Sequence, residues 1–301
     1  MSRSKALQYY IVSRLLFAPI QLLIIITIVF LLLRATPGDP VDVILGGRAT
    51  EIAKEELRKS LDLHLPGSLQ YIKYIGNLLR FDLGTSITSR GQSVWEIIGQ
   101  HFPATAELAI CSMVVAFVVG IMVGIFSASR PGTSLDLGGR LFGIITYALP
   151  MFWAGMLFQL IFSFQLGWFP NSNRFPPDLP TPSPITGLYT IDSLLSGNFG
   201  QFFISLHHLA LPSLTLGLLL SGIFERIVRV NLKQTLKSDY VEAARARGIA
   251  ENKILVSHAL KNALIPVITV LGLTFASLLG GAILTEVTFS WPGLANRLYQ
   301  A

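Results

Sequence analysis

Residues Asp239 to Pro266 read DYVEAARARGIAENKILVSHALKNALIP, a polar, basic stretch set between two long apolar runs. Its first part, Asp239 to Arg247, is rich in Ala, Arg and Glu, all strong helix formers. Gly248 follows, where a helix end favours a residue free to take positive φ. The pattern predicts a short helix with a stop, capped by Asp239, with Glu242 three residues on reaching back as in a capping box. A second helix is predicted from about Glu251 to Leu260, running on into the next apolar run. Ala243, Ala244, Ala246 and Gly248 are all small. Either they form a surface that a partner backbone can approach closely, or they are simply good helix formers.

The apolar runs on either side decide the class. Only 13% of the 301 residues are charged and 51% are hydrophobic, where a soluble domain carries about 25% charged residues. With a mean hydropathy of +0.59, the chain belongs in a bilayer. Its net charge of +6 sits beside apolar spans, and no basic, aromatic-interleaved face suggests nucleic acid. Five spans are expected, at about Leu15–Leu33, Thr105–Ser129, Leu141–Leu166, Leu209–Val228 and Ala263–Thr285, each near the length needed to cross roughly 30 Å of hydrocarbon. The first apolar run is too long for a cleaved signal and has no small-residue cleavage site behind it, so it is expected to stay as an anchor.

Punctuation separates the spans. Pro37-Gly38-Asp39-Pro40 ends the first abruptly. A polar insert follows, with Thr50 as a helix cap, Glu55 and Lys59 spaced for an ion pair, and FDLGTS at 81–86. Gly120 and Gly124 stand four apart, either a close-packing GxxxG or chance spacing. Pro150 predicts a kink. Between Gly167 and His208 the run PNSNRFPPDLPTPSP excludes regular helix or central strand. Gly280-Gly281 offers a bend in the last span.

Charge beside the spans orients the chain. Arg3, Lys5 and Arg14 precede the first span without an acid, which predicts a cytoplasmic N-terminus. Alternation then puts the stretch quoted above on the cytoplasmic side, where Arg226, Arg229, Lys233, Lys237, Arg245, Arg247, Lys253 and Lys261 cluster; the Pro-rich loop holds Arg174 alone.

Chemistry is sparse. Glu107, Glu225 and Glu286 are expected near span ends, so no acid lies at a midplane, as an ion-coupled carrier usually needs. No phosphate-cradling GxxxxGK[ST] occurs, and neither HExxH nor GxSxG supports a membrane enzyme. Cys111 is the only cysteine, in an apolar run where it reads as a small buried residue. His207-His208 precedes a span, but adjacent helical side chains point about 100° apart and chelate poorly.

Glu242-Ala243-Ala244, then three residues, then Gly248 resembles the EAA loop of bacterial ABC-importer permeases. HALKNALIPV from His258 to Val267, together with PGDP after the first span, resembles the peptide and nickel branch. FDLGTS and PATAEL (103–108) resemble the family's approach to its second span. The resemblance implies an all-α polytopic bundle of the type I importer class. Residues 1–34 would be an N-terminal segment with the first span, 35–104 an extracytoplasmic insert, and 105–301 the permease core with its coupling loop at 226–262. FSWPGL near the end resembles the approach to a sixth span, expected beyond the given sequence.

It further implies Asp239, Tyr240, Glu242, Ala243, Ala244, Arg245, Ala246, Gly248, His258, Asn262 and Pro266 as the ATPase-coupling set. The implied partners are a second homologous permease, two ATP-binding cassette subunits and an extracytoplasmic solute-binding protein, in the bacterial inner membrane. ATP and magnesium would be held by those ATPase subunits, with no cofactor or metal in this chain. The implied cargo is a di- or oligopeptide. Glutathione or nickel permeases of the same branch are the near alternatives, and an ion-coupled carrier the distant one.

Overall fold

The computed structural model describes residues 3–35, 38, 40–45, 49–86, 89 and 91–300. Pro37 and Asp39 of the PGDP motif lie outside the described residues. Among the described residues the regular structure is helical, apart from one isolated bridge between Thr85 and Ser93. The chain divides into two compact units at Val94 and Trp95.

The first unit opens on α1 (Arg3–Ala35), followed by α2 (Pro40–Leu45), α3 (Glu51–Ser60) and α4 (Gly67–Leu79). From Gln8 to Ala35, α1 is long and apolar enough to cross a membrane, with almost all of its side chains exposed. A helix that is apolar on every side suits a lipid surround. Its end is tied to α4 by the Thr27 and Tyr71 hydroxyls, 2.6 Å apart, and by Arg34 Nε donating to Gln70 Oε1 at 2.9 Å. Thr50 caps α3, accepting from the Ala53 amide. Glu55 meets Arg58 at 3.8 Å rather than the expected Lys59. The FDLGTS stretch forms a tight turn at Gly84 (φ +73°), whose amide donates to Asp82 Oδ1 at 2.9 Å.

In the second unit two long helices make the frame, α5 (Val94–Ser129) and α9 (Phe199–Thr235), both able to span a bilayer. Both are longer than the apolar windows that announced them, α5 at its start and α9 at both ends. Gly120 and Gly124 settle between the two readings given above as a close-packing pair. A Cβ on Gly120 would fall 2.5 Å from Phe224 Cβ, and one on Gly124 2.8 Å from Val228 Cβ. Around this crossing lies the core, with Leu108, Ala116, Leu209, Leu216, Phe224, Val228, Val267 and Trp291 buried.

The expected third span, with a kink at Pro150, is two helices. α6 (Ser134–Ala148) and α7 (Met151–Phe158), which continues as a π-helical turn (Gln159–Gln165), meet at 103°. Pro150 sits at the junction with extended backbone (ψ 132°), so no helical turn bridges it. The Gly167–His208 loop keeps its Pro-rich half free of helix, but α8 (Tyr189–Leu195) follows the last proline and α9 starts at Phe199, ten residues before the expected span.

Beyond α9 come α10 (Asp239–Ala246), α11 (Glu251–Lys253), a π-helical turn (Ile254–Leu260), α12 (Lys261–Ala263) and α13 (Ile265–Leu279). Residues 251–263 and 265–279 form one bent pair, at 50°. The last expected span ends early. At Gly281 (φ +107°) the chain turns, and a Cβ there would lie 2.5 Å from that of Ala295. α14 (Ile283–Thr288) and α15 (Leu294–Gln300) fold back on the bundle. Trp291 is fully buried between them and donates its indole N–H to the Ala104 carbonyl at 2.8 Å.

The three glutamates expected near span ends are all buried. Glu286 accepts from the Thr105 hydroxyl at 2.7 Å and from the Asn296 amide at 2.8 Å. Glu225 lies ten residues inside α9, with Arg229 Nε donating to its Oε1 at 2.8 Å. Glu107 is met by Arg174 at 2.6 Å.

Candidate coupling site

α10 follows α9 after a three-residue turn, Leu236 to Ser238. Ser238, not Asp239, is the capping residue. Its backbone is extended (φ −81°, ψ 151°) and its carbonyl accepts from the Val241 and Glu242 amides at 2.9 and 3.2 Å. Asp239 is already helical, so the expected Asp239–Glu242 box does not form. A cap must lie outside the helical backbone region, and Ser238 takes that place. Both acids still fall in the first turn, where negative charge suits the helix dipole.

The helix divides into two faces. Val241 and Ala244 are buried, packed with Leu232 of α9, Ile254 and Ala259 of the π-helical turn, Ala263 and Ala128. Asp239, Glu242, Ala243 and Ala246 are exposed and share the other face, at i, i+3, i+4 and i+7. Ala244 is small to fit its own chain's core, which neither sequence reading offered, and Ala243 and Ala246 are exposed.

Gly248 ends the helix. Its φ is +74°, the Gly248 amide donates to the Arg245 carbonyl at 2.9 Å, and the Ile249 amide donates to the Ala244 carbonyl at 3.3 Å. These two bonds are the Schellman pattern, and Ile249 packs into the same cluster as Ala244, the apolar contact that accompanies it. A Cβ on Gly248 would meet nothing within 4 Å, so the requirement is conformational rather than spatial.

Two further ties fix the angle of α10. Arg245 forks onto Glu251, Nε to Oε1 at 2.7 Å and Nη2 to Oε2 at 3.3 Å, and its Nη1 reaches the Leu236 carbonyl at 3.3 Å. The carboxylate holds the Arg245 guanidinium above its ordinary pKa. On the other flank Asn262 donates to the Tyr240 hydroxyl at 2.8 Å, and that hydroxyl points at the His258 carbonyl, 3.5 Å away. His258 thus enters through its backbone, with its side chain half-buried. Pro266 stands in the first turn of α13, at the 50° bend. The picked residues therefore converge on one joint between α9, α10 and the lead-in to α13, except Pro266, which marks where that lead-in bends.

Sequence reasoning did not single out Val241, Leu232 or Ile254, although an apolar residue three before Ala244 in a polar helix is a signal of an inner face. Glu251 was out of reach: it stands six residues after Arg245, no helical spacing, and only the Gly248 turn brings it back. Beside the joint lies a groove of about 1150 Å³, lined in part by Arg130, Lys233, Lys237 and Arg245 over Phe126 and Leu135.

At the opposite end of α9 the Pro-rich loop is built around buried polar groups. Asp192, fully buried, accepts from the Thr186 amide and hydroxyl (both 2.7 Å) and the Gly187 and Ile185 amides (2.9 and 3.3 Å). Burial opposes its ionisation, but these donors outweigh it and hold the carboxyl below the usual range. His207 Nε2 donates to the Trp168 carbonyl at 2.7 Å and His208 Nδ1 to the Asn173 carbonyl at 3.0 Å. Each histidine pins the loop to the start of α9.

Residues 120–301 match the family described as "Binding-protein-dependent transport system inner membrane component", and residues 7–109 match its N-terminal companion. The chain is similar to the di/tripeptide transport system permease protein DppB of Pseudomonas aeruginosa, at 40% identity over 90% of this chain and 81% of that protein. It is 39% identical to the dipeptide transport system permease protein DppB of Alkalihalophilus pseudofirmus, over 97% and 87% of the two chains. The glutathione transport system permease protein GsiC of Pectobacterium atrosepticum is 36% identical, over 96% and 85%.

Proposed function

Since the chain belongs to the family of binding-protein-dependent transport system inner membrane components, and is thus a transmembrane permease subunit of an ABC importer rather than an enzyme, we propose that α10 is its joint to the ATPase. The observation that carries this is the two-faced α10, whose inner face is locked to α9 and the α13 lead-in while an outer face of two acids and two alanines stays exposed. In this reading ATP and magnesium are held by two cytoplasmic ATP-binding subunits. Closure of that pair pulls their docked helices together, and the spans continuous with those helices rock between inward and outward openings.

A second, related permease supplies the other half of the pathway, and an extracytoplasmic binding protein delivers cargo to the Pro-rich loop. The N-terminus and α10 lie on the cytoplasmic side in this reading, the orientation that the charge asymmetry favours.

The cargo is a di- or oligopeptide, and the names of the two DppB relatives, dipeptide and di/tripeptide, favour the short end of that range. Reconstitution in vesicles with the partner subunits and binding protein tests this. Uptake of a labelled dipeptide should require ATP and survive collapse of proton and sodium gradients. Uptake that stops with the gradients and ignores ATP would overturn the proposal. Because GsiC carries glutathione in its name, excess glutathione serves as competitor. Dipeptide uptake is expected to persist in its presence, and full suppression would reassign the cargo.

A further inference from the structure

α6 and α9 meet through unusually small residues. A Cβ on Gly143 would lie 2.6 Å from Glu225 Oε2, and one on Gly222 would run into the Thr146 hydroxyl. Thr146 of α6 thus seats on Gly222 and Glu225 of α9 on Gly143, which brings the two backbones close. A charged tie between the same two helices stands at the end of the contact nearest α10.

Asp136, in the first turn of α6, is 3% exposed. Ser127 of α5 donates to its Oδ1 at 3.2 Å, the Gly132 amide to Oδ2 at 3.1 Å and Arg140 to Oδ2 at 3.4 Å. None of these comes from α9. From α9 comes Lys233, whose Nζ donates to Oδ1 at 2.7 Å, the shortest of the set. Lys233 sits three residues before the Leu236 cap. Its neighbours Leu232 and Leu236 pack with Val241 and Ala244 of α10, and the Leu236 carbonyl takes the Arg245 bond. A displacement of α10 therefore reaches the turn of α9 that carries Lys233, as it reaches the lead-in to α13.

We propose that the Asp136–Lys233 pair is a positioning strut that keeps α6 in step with the last turn of α9, handing α10 movement to the broken third span. The strut rests on the reading of α10 as the ATPase joint, and its test is built to separate the two.

The assembled importer in vesicles is compared with its Lys233→Met, Asp136→Asn, double and Lys233→Arg variants. Two quantities are read: ATP hydrolysed per labelled dipeptide imported, and co-purification of the ATPase subunits. Each neutral single variant should raise the ATP cost by about fivefold or more, while the ATPase subunits stay bound. The double variant should be no worse than the worse single, because one interaction is being removed twice. Lys233→Arg, which keeps charge and reach, should remain within about twofold of the parent.

An unchanged ratio in Lys233→Met, or effects that multiply in the double variant, overturns the strut. So does failure of both singles to assemble, which would make the pair a folding element. Gly248→Val is the control for the underlying reading. If it uncouples and Lys233→Met does not, the strut alone is wrong; if neither does, the joint is wrong.

Discussion

Gly248→Val is expected to reduce ATP-driven uptake by about tenfold or more while the protein still inserts and purifies, a loss corresponding to roughly 1.4 kcal/mol in the coupled step. The glycine holds φ +74° with no atom near enough to be struck by a new Cβ. The penalty is therefore that of an L residue in the left-handed region, about 1–2 kcal/mol, and a β-branched side chain is the least suited to it. The strain is relieved by opening the turn. That breaks the Ile249 amide bond to Ala244 and withdraws Ile249 from the cluster that seats α10. The helix itself can persist, but its angle to α9 is lost. Gly248→Asn, a residue that tolerates positive φ, should keep most of the uptake. Full uptake in Gly248→Val would remove the turn from the mechanism.

The second large effect lies at the other end of the molecule. Arg174 and Glu107 are almost entirely buried, with Arg174 Nε and Nη2 donating to one carboxylate oxygen at 2.8 and 2.6 Å. Thr190 donates to the other oxygen through its amide and hydroxyl, and the guanidinium lies 3.7 Å over the Tyr189 ring. Arg174→Met removes the cation and leaves a buried carboxylate, which typically costs about 3–5 kcal/mol. Denaturation in detergent should show the variant markedly destabilised. Adding Glu107→Gln should restore part of the loss, because removing both charges costs less than stranding one. A single variant as stable as the parent would mean the pair does not hold the loop.

The Arg174–Glu107 pair also marks where sequence reading stops. Apolar runs announced the long helices, Gly120 and Gly124 left a close crossing open beside chance spacing, and Gly248 announced the end of α10, since each is a local constraint written in local residues. Glu107 and Arg174 are 67 positions apart, and Asp136 and Lys233 are 97 apart. No periodicity links such residues, so these ion pairs emerge only once the helices are packed. Pro150 marked a bend but not its size, because a proline permits anything from a modest kink to the 103° break found here. Likewise Asp239 looked like the cap until Ser238, one residue earlier, took the extended backbone. Within the joint, composition left Ala243, Ala244 and Ala246 alike as partner surface or helix formers, and could not show that Ala244 faces inward while the other two stay exposed.

Labelling of residue 243 tests the ATPase joint most directly. With Cys111→Ser removing the native thiol, Ala243→Cys places a reactive group on the exposed face of α10. A membrane-impermeant thiol reagent should reach it from the cytoplasmic side only. That labelling should vanish when the ATPase subunits are bound, and a short bifunctional reagent should then cross-link residue 243 to one of them. Labelling from the outer side, or labelling undiminished by bound ATPase, would contradict the assignment of α10 as the joint.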